Sequence, residues 1–140
     1  MTAHYFETSA FVKLFVIEEG SSTAMDAWDG AYRLVASHLL FVEVRASLAA
    51  AHRGKRMTSR SFAESKEDVA RLRRHFIEVD ADRTVLALAE ELAEQEALRG
   101  YDAVHLASAL HAEVEVLVTA DAALAEAAGR HGLVVVDIRG

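Results

Sequence analysis

The chain has 140 residues, 52% apolar and 26% charged, which is typical of a globular protein and too short for two domains, so we expect a single domain over residues 1–140. The absence of cysteine excludes disulfides and thiolate metal sites, and the formal charge of -7 argues against a general nucleic-acid coat. No run approaches the roughly 18 apolar residues of a membrane span, and MTAHYFETSA lacks the features of a secretion signal, so we expect a cytoplasmic protein without membrane association.

The predicted elements alternate between short apolar runs and longer helical patterns. In chain order we predict a strand (4–7), a helix (9–19), a short helix (21–30), a strand (32–37), a long helix (38–54), a charged helix (58–76), a strand (76–80), two helices (82–98 and 101–113), a strand (114–119), a helix (121–132) and a last strand (133–138). Gly54 supplies a stop signal for the long helix, and Thr58 or Ser59 supplies a cap for the charged one.

The order of these elements predicts the fold class. The strands at 114–119 and 133–138 are rich in valine and leucine, which is typical of strands covered on both faces. Strands separated by helices indicate right-handed crossovers and therefore an α/β fold with a parallel sheet. Ligands of such open sheets sit at the carboxyl ends of the strands, and we look for function at that edge.

Four acidic residues, far apart in the sequence, fall at informative places. Glu7 closes the first strand, Asp102 sits in the first turn of its helix, and Asp121 stands where another helix begins. Glu43 lies in LLFVEVRASLAAA, a helix that is apolar almost all the way round, where a buried carboxylate is costly unless something compensates its charge.

Each acid also has a purely structural interpretation. Asp121 and Asp102 suit a helix N-terminus, and Glu7 could be a solvated strand end. Glu43 could form an ion pair with Arg45 or a distant arginine. These interpretations need four independent causes, whereas one shared cation explains all four acids.

The chemistry of clustered carboxylates leads to the same cation. Several carboxylates within a few ångströms repel one another, and some take up protons unless a cation is present. Oxygen ligands suit Mg²⁺ or Mn²⁺. Such an ion can lower the pKa of a bound water, orient a phosphate and stabilise the leaving oxygen. The constellation therefore fits phosphodiester hydrolysis.

At these residues the chain resembles the PIN-domain family, particularly the VapC-type toxins of toxin–antitoxin pairs. The resemblance spans essentially the full length and is carried by FETSAFVKLFVIEEGS, LLFVEVRASLAAAHRG, YDAVHLASAL and LVTADAALAEAAGRHGL. It assigns the catalytic and metal-binding positions to four acids: Glu7, Glu43, Asp102 and Asp121. It makes supporting hydroxyls of three residues: Thr8, Ser9 and Thr119.

The same resemblance implies a fold, an activity and partners. It implies a PIN-like three-layer domain with a central parallel β-sheet flanked by helices. It implies an endoribonuclease that depends on Mg²⁺ or Mn²⁺, acting on an RNA substrate such as tRNA or rRNA. The implied assembly is a homodimer, and a small VapB-like antitoxin would block the site.

One position departs from the family pattern, because Glu7 stands where the family usually has aspartate. The extra methylene moves the carboxylate by about one bond length, and catalysis can lose on the order of 10²-fold from a 1 Å misplacement. Glu7 could be a working natural variant, a weakened one or an engineered substitution. Two alternatives to the toxin stay open: a PIN-type nuclease in RNA processing without an antitoxin, and a non-catalytic RNA- or protein-binding module.

The charge of the chain is unevenly distributed. Nine of its fifteen Lys and Arg residues lie between Arg45 and Arg74, together with only three acids. This segment is either a solvated helical surface or a phosphate-contacting face. As candidate RNA contacts we name Arg45, Arg53, Lys55 and Arg56. We interpret His105, one turn after Asp102, as a packed histidine that could otherwise touch substrate.

Overall fold

The structure is a computed structural model that describes residues 1–139. Five parallel strands form one sheet in the order β3-β2-β1-β4-β5. The strands are β1 (Ala3–Phe6), β2 (Arg33–Ser37), β3 (Phe76–Val79), β4 (Val116–Thr119) and β5 (Val134–Asp137). The predicted α/β class with a central parallel sheet flanked by helices is confirmed.

Helices connect the strands and cover both faces of the sheet. They are α1 (Thr8–Phe11), a 3-10 helix (Val12–Leu14), α2 (Ser21–Asp29), α3 (Leu39–Arg53), α4 (Ser59–Arg73), α5 (Arg83–Glu96), α6 (Gly100–His111) and α7 (Ala122–Arg130). The predicted helix cap at Thr58 is confirmed, because its hydroxyl accepts a hydrogen bond from the Ser61 amide at 3.0 Å at the start of α4. The predicted stop at Gly54 is also confirmed, because α3 ends at Arg53.

Alternation along the central strands creates two cores. Tyr5 and Leu117 point to the face covered by α5, α6 and α7. Phe6 and Val118, their neighbours in sequence, point to the opposite face, which α1 to α4 cover. All four side chains are fully buried, and burial of Phe6, Leu117 or Val118 contributes about 1.5–3 kcal/mol each relative to exposure. Tight packing on both faces fixes the strand register, and that register sets the level at which each strand ends.

Two sequence predictions about the elements are wrong, one on the length of a helix and one on the burial of a strand. The helix predicted at 9–19 is only α1 and the 3-10 helix, because the chain then turns to bury Val16 in the core beneath α2. The last strand is not covered on both faces, since β5 is at the edge of the sheet and Val134 is 63% exposed. Within residues 1–139 we find no helix that is both long and apolar enough to span a bilayer.

The topology determines where the predicted acids lie. Glu7 directly follows β1, and Asp121 stands two residues after the end of β4, its neighbour in the sheet. β2 lies on the other side of β1 and leads into α3, which carries Glu43. Three adjacent parallel strands therefore deliver these residues to one edge of the sheet.

Candidate active site

Glu7 is held in a pocket of hydrogen-bond donors at the end of β1. Its carboxylate accepts hydrogen bonds from the Ser9 amide at 2.8 Å, the Ser9 hydroxyl at 2.5 Å and the Thr119 hydroxyl at 2.5 Å. The register of β1 against β4 brings Thr119 there, since the Glu7 amide donates to the Val118 carbonyl at 3.1 Å. Glu7 is only 6% exposed, and these donors compensate the burial of its charge.

Glu43 reaches the same edge from α3. Its carboxylate accepts the Thr8 hydroxyl at 2.7 Å and lies 2.7 Å from His105 Nε2. Burial by itself would raise the pKa of Glu43, but the hydrogen bonds from His105 and Thr8 and the charge interaction with His105 outweigh it and lower the pKa. The arginine partner considered from the sequence is wrong, because histidine takes that place.

His105 connects Glu43 to the core. The Tyr5 hydroxyl lies 2.7 Å from His105 Nδ1, and the two rings pack edge to face with centroids 5.8 Å apart. Burial raises the pKa of Tyr5, so its hydroxyl keeps its proton beside Nδ1. Nε2 donates to Glu43, because an ionised carboxylate can only accept a hydrogen bond.

Asp102 and Asp121 are joined by one guanidinium. Arg99 Nε donates to Asp102 Oδ2 at 3.0 Å, and Arg99 Nη2 donates to Asp121 Oδ2 at 3.4 Å. The hydrogen bond to Asp102 raises the pKa of Arg99, with further contributions from the charges of Asp102, Asp121 and Glu7. Asp121 is also the N-cap of α7, with its Oδ1 accepting the Leu124 amide at 2.9 Å. The capping interpretation of Asp121 is therefore confirmed, but it occupies only one of the two carboxylate oxygens.

Hydroxyl groups bond three of the four acids or their backbone amides. The Thr119 hydroxyl donates to Glu7 and accepts the Asp121 amide at 3.0 Å. The Ser9 hydroxyl donates to Glu7 and accepts the Ala120 amide at 2.8 Å. Thr8, which directly follows Glu7, bonds Glu43 instead of Glu7. The seven predicted acids and hydroxyls therefore fall into two contact sets that the consecutive residues Glu7 and Thr8 place side by side: Glu43 with Thr8, and Glu7 with Ser9, Thr119 and Asp121, which Arg99 joins to Asp102.

The donor set of this site fits a hard divalent cation in chemistry, since carboxylate oxygens are the ligands that Mg²⁺ and Mn²⁺ prefer. Its present arrangement is not a finished cage: in the part of the chain that the structure describes, no three acidic or histidine side chains are gathered to hold a metal ion. Arg99 supplies the positive charge between Asp102 and Asp121 instead. Its side chain is 80% exposed, so a cation could displace it at small cost.

The predicted RNA-contacting residues separate into two places. Arg53, Lys55 and Arg56 line one open depression at the turn between α3 and α4. Arg45 lines a different groove, between α3 and α4, with Lys66 and other residues. These four residues are therefore not one cluster.

Sequence reasoning missed two residues of the site, Tyr5 and Arg99, and it predicted a packed His105, which is confirmed by its 1% exposure, without finding its partner. Tyr5 reads as an ordinary strand residue, and only the fold shows that it supports His105. Arg99 lies outside the helical pattern, yet its position three residues before Asp102 is the spacing of a side-chain pair on a helix. His105 has the same spacing after Asp102, but its partner is Glu43, which no local pattern could reveal.

The sequence of this chain is also similar to those of known proteins. The profile of the PIN domain matches residues 5–130. Ribonuclease VapC45 from Mycobacterium tuberculosis (strain CDC 1551 / Oshkosh) is 46% identical over 106 residues, which cover 76% of this chain and 74% of that protein. Ribonuclease VapC49 from strain ATCC 25618 / H37Rv shows the same identity and coverage.

Solved structures share the fold at low sequence identity. The structure of PAE2754 from Pyrobaculum aerophilum superposes with a TM-score of 0.71 at 20% identity, covering 96% of this chain and 89% of that one. Mycobacterium tuberculosis VapC20, described as a Sarcin-Ricin loop cleaving toxin, also gives 0.71, at 16% identity with 96% and 98% coverage. At these identities the likeness concerns the fold alone.

Proposed function

This chain belongs to the PIN-domain family, among its VapC-type members, and on that premise we propose that it is a ribonuclease toxin whose acidic site hydrolyses RNA phosphodiester bonds. The proposal is supported by two adjacent contact sets at the carboxyl edge of the sheet. They hold four carboxylates from distant parts of the sequence: Glu43 bonds Thr8, while Ser9, Thr119 and Arg99 connect Glu7, Asp121 and Asp102.

We assign metal binding to the four acids: Glu7, Glu43, Asp102 and Asp121. A divalent cation bound by them, Mg²⁺ or Mn²⁺, would supply an activated water and stabilise negative charge on the phosphate. The two aspartates each expose an oxygen toward Arg99, and these are the oxygens that become available when the guanidinium moves away.

The protein's own residues orient the reacting groups in this proposal. The Ser9 and Thr119 hydroxyls fix one oxygen of Glu7, while Thr8 and His105 fix one oxygen of Glu43. Rigid carboxylates favour hydrolysis because they hold the ligand geometry without reorganising during the reaction. Once released, Arg99 is placed to donate to an oxygen of the RNA phosphate.

The substrate and partners follow from the same family membership. The relatives named ribonuclease support RNA as the substrate. The likeness to VapC20, described as cleaving the Sarcin-Ricin loop, makes rRNA or tRNA the class to test. Similar folds occur in a toxin–antitoxin complex from Klebsiella pneumoniae, and we propose a VapB-like antitoxin that inserts an arginine among the acids. We further propose that the toxin acts in the cytoplasm as a homodimer.

A cleavage assay tests the function. Total RNA is incubated with Mn²⁺ or Mg²⁺ and the parent chain or one of three variants: Glu7→Asp, Glu43→Ala and Asp102→Ala. Glu94→Ala is the matched control, because Glu94 is an exposed acid on α5, away from the site.

We expect the parent and the control to cleave only with the metal, and the two alanine variants at the site to be inactive. Glu7→Asp should equal or exceed the parent, because aspartate can still act as the N-cap of α1 and is the usual family residue. Alanine variants that cut as well as the parent would refute the proposed mechanism.

A further inference from the structure

The nine cations between Arg45 and Arg74 differ in how far their charge is neutralised. Three of them have carboxylate partners: Arg60 pairs with Glu64, Arg71 with Asp68 and Arg73 with Glu78. The other six form no ion pair with any residue of the described range 1–139; they are Arg45, Arg53, Lys55, Arg56, Lys66 and Arg74. These six are the cations of the segment whose charge no carboxylate of the described residues neutralises.

Three of these six cations lie together at the turn between α3 and α4. Arg53, Lys55 and Arg56 are all exposed and line a depression of about 480 Å³. We call these three residues the basic turn. Lys55 has φ 60, a left-handed conformation at the turn that leads from α3 into α4.

Among the residues that the structure describes, no acidic side chain lines the depression of the basic turn. The remaining lining residues are neutral or basic: His52, Met57, Thr58 and Ser59. The first turn of α4 has no acidic residue, and α4 is long enough for its N-terminal dipole to add to the positive field. An anion entering this depression would meet cations and hydrogen-bond donors without a competing carboxylate.

The path from Glu43 to the basic turn follows one face of α3. Ala46, Ala50 and Arg53 stand three, seven and ten residues after Glu43, which places them along one side of the helix. Both alanines are exposed and short, so the two positions between Glu43 and Arg53 leave room for a bound chain. Ten residues of helix span about 15 Å, or roughly four stacked nucleotides at about 3.4 Å each. Arg45 points away from this path into its separate groove.

We propose that the basic turn is a second RNA-backbone contact, which holds phosphates roughly four nucleotides from the cleaved bond while the chain crosses Ala46 and Ala50. This inference rests on the proposed ribonuclease function and adds a footprint to it. It favours substrates with an extended or structured segment beside the cleaved bond, since a shorter fragment would reach the acids without reaching the turn. It also explains how an acidic protein can bind RNA, because local unpaired cations decide phosphate contact more than net charge does.

The salt dependence of RNA binding tests this proposal. Labelled tRNA is titrated with protein in EDTA, which prevents cleavage, over a series of KCl concentrations. The test variant combines Arg53→Gln, Lys55→Gln and Arg56→Gln. The charge-matched control combines Arg33→Gln, Arg74→Gln and Arg83→Gln, three exposed cations without ion pairs to the described residues. Thermal unfolding of each variant checks that the fold is kept.

We expect the logarithmic salt dependence of the test variant to be about two units less steep than that of the parent, from three lost contacts at about 0.7 each. The control should keep the parent's slope. Equal slopes in the test variant and the parent would overturn the inference, whatever the cleavage result. If the slope changes as expected but the parent does not cleave RNA in Mn²⁺, the contact is supported and the nuclease function is wrong.

Discussion

His105 is 1% exposed, yet it is the residue through which the core orients Glu43. Its two ring nitrogens have different partners, so a substitution can keep one and lose the other. Glutamine places an amide near the position of Nε2, and asparagine places one near Nδ1. The two amides therefore separate a positioning role from a merely structural one.

We predict that His105→Gln retains much of the cleavage rate, whereas His105→Asn lowers kcat with a smaller change in KM. Both should lose stability, by about 1–3 kcal/mol, because each leaves a buried polar group without its partner. Urea unfolding and steady-state cleavage measure the two effects. Equal kcat values in the two variants would show that His105 only fills space.

Arg99 is the second residue whose role can be isolated. Its guanidinium lies between the carboxylates of Asp102 and Asp121, where a bound cation would lie. Removing the guanidinium should therefore favour metal binding while it removes a donor for the RNA phosphate.

We predict that Arg99→Gln binds Mn²⁺ about two- to fivefold more tightly in calorimetry, since exposed ion pairs are worth about 0.2–1 kcal/mol. Arg130→Gln is the matched control, because Arg130 forms an ion pair with Glu96 at the other end of α7. An unchanged Mn²⁺ affinity in Arg99→Gln would mean that the guanidinium does not compete for the site.

Among the elements, the connection into α2 is constrained by a close backbone approach at Gly20. Gly20 has φ 93, and a Cβ added there would lie 2.2 Å from the Ile138 carbonyl oxygen, just after β5. The start of α2 and the end of the edge strand therefore approach each other through this glycine. Gly132 also has a positive φ, 87, but an added Cβ would meet nothing within 4 Å.

We predict that Gly132→Ala costs about 1–2 kcal/mol from left-handed strain alone. Gly20→Ala should cost a further 1–3 kcal/mol, because the backbone contact forces neighbouring segments apart. Chemical denaturation of both variants gives the difference. Similar losses in the two variants would contradict the close approach at Ile138.

Some of the secondary-structure elements could be predicted from the sequence and others could not. The strands, the parallel sheet and the caps at Thr58 and Asp121 follow from local periodicity and turn chemistry, so they could be predicted. The true length of the first helix could not, because burying Val16 depends on contacts with distant residues. For the same reason the hydrogen bonds that connect Tyr5, His105 and Glu43 could not be predicted, because these residues are up to 100 positions apart in the sequence.

For the whole molecule, charge is segregated between two surfaces. The carboxyl edge of the sheet collects acids that suit a cation, and the turn between α3 and α4 collects cations that suit phosphates. An RNA that contacts both surfaces would be held at its cleaved bond and at a point about 15 Å away. The net charge of -7 does not reveal this division, which only the folded arrangement makes visible.

The proposed function requires that the carboxylates bind one shared cation. Titration calorimetry with Mn²⁺ tests it directly on the parent and on three single isosteric variants: Glu43→Gln, Asp102→Asn and Asp121→Asn. We predict that each variant weakens Mn²⁺ binding by at least about tenfold, because each removes one ligand of the same ion. Parent-like affinity in two or more of these variants would show that the acids serve separate structural roles, and the shared-cation account would be wrong.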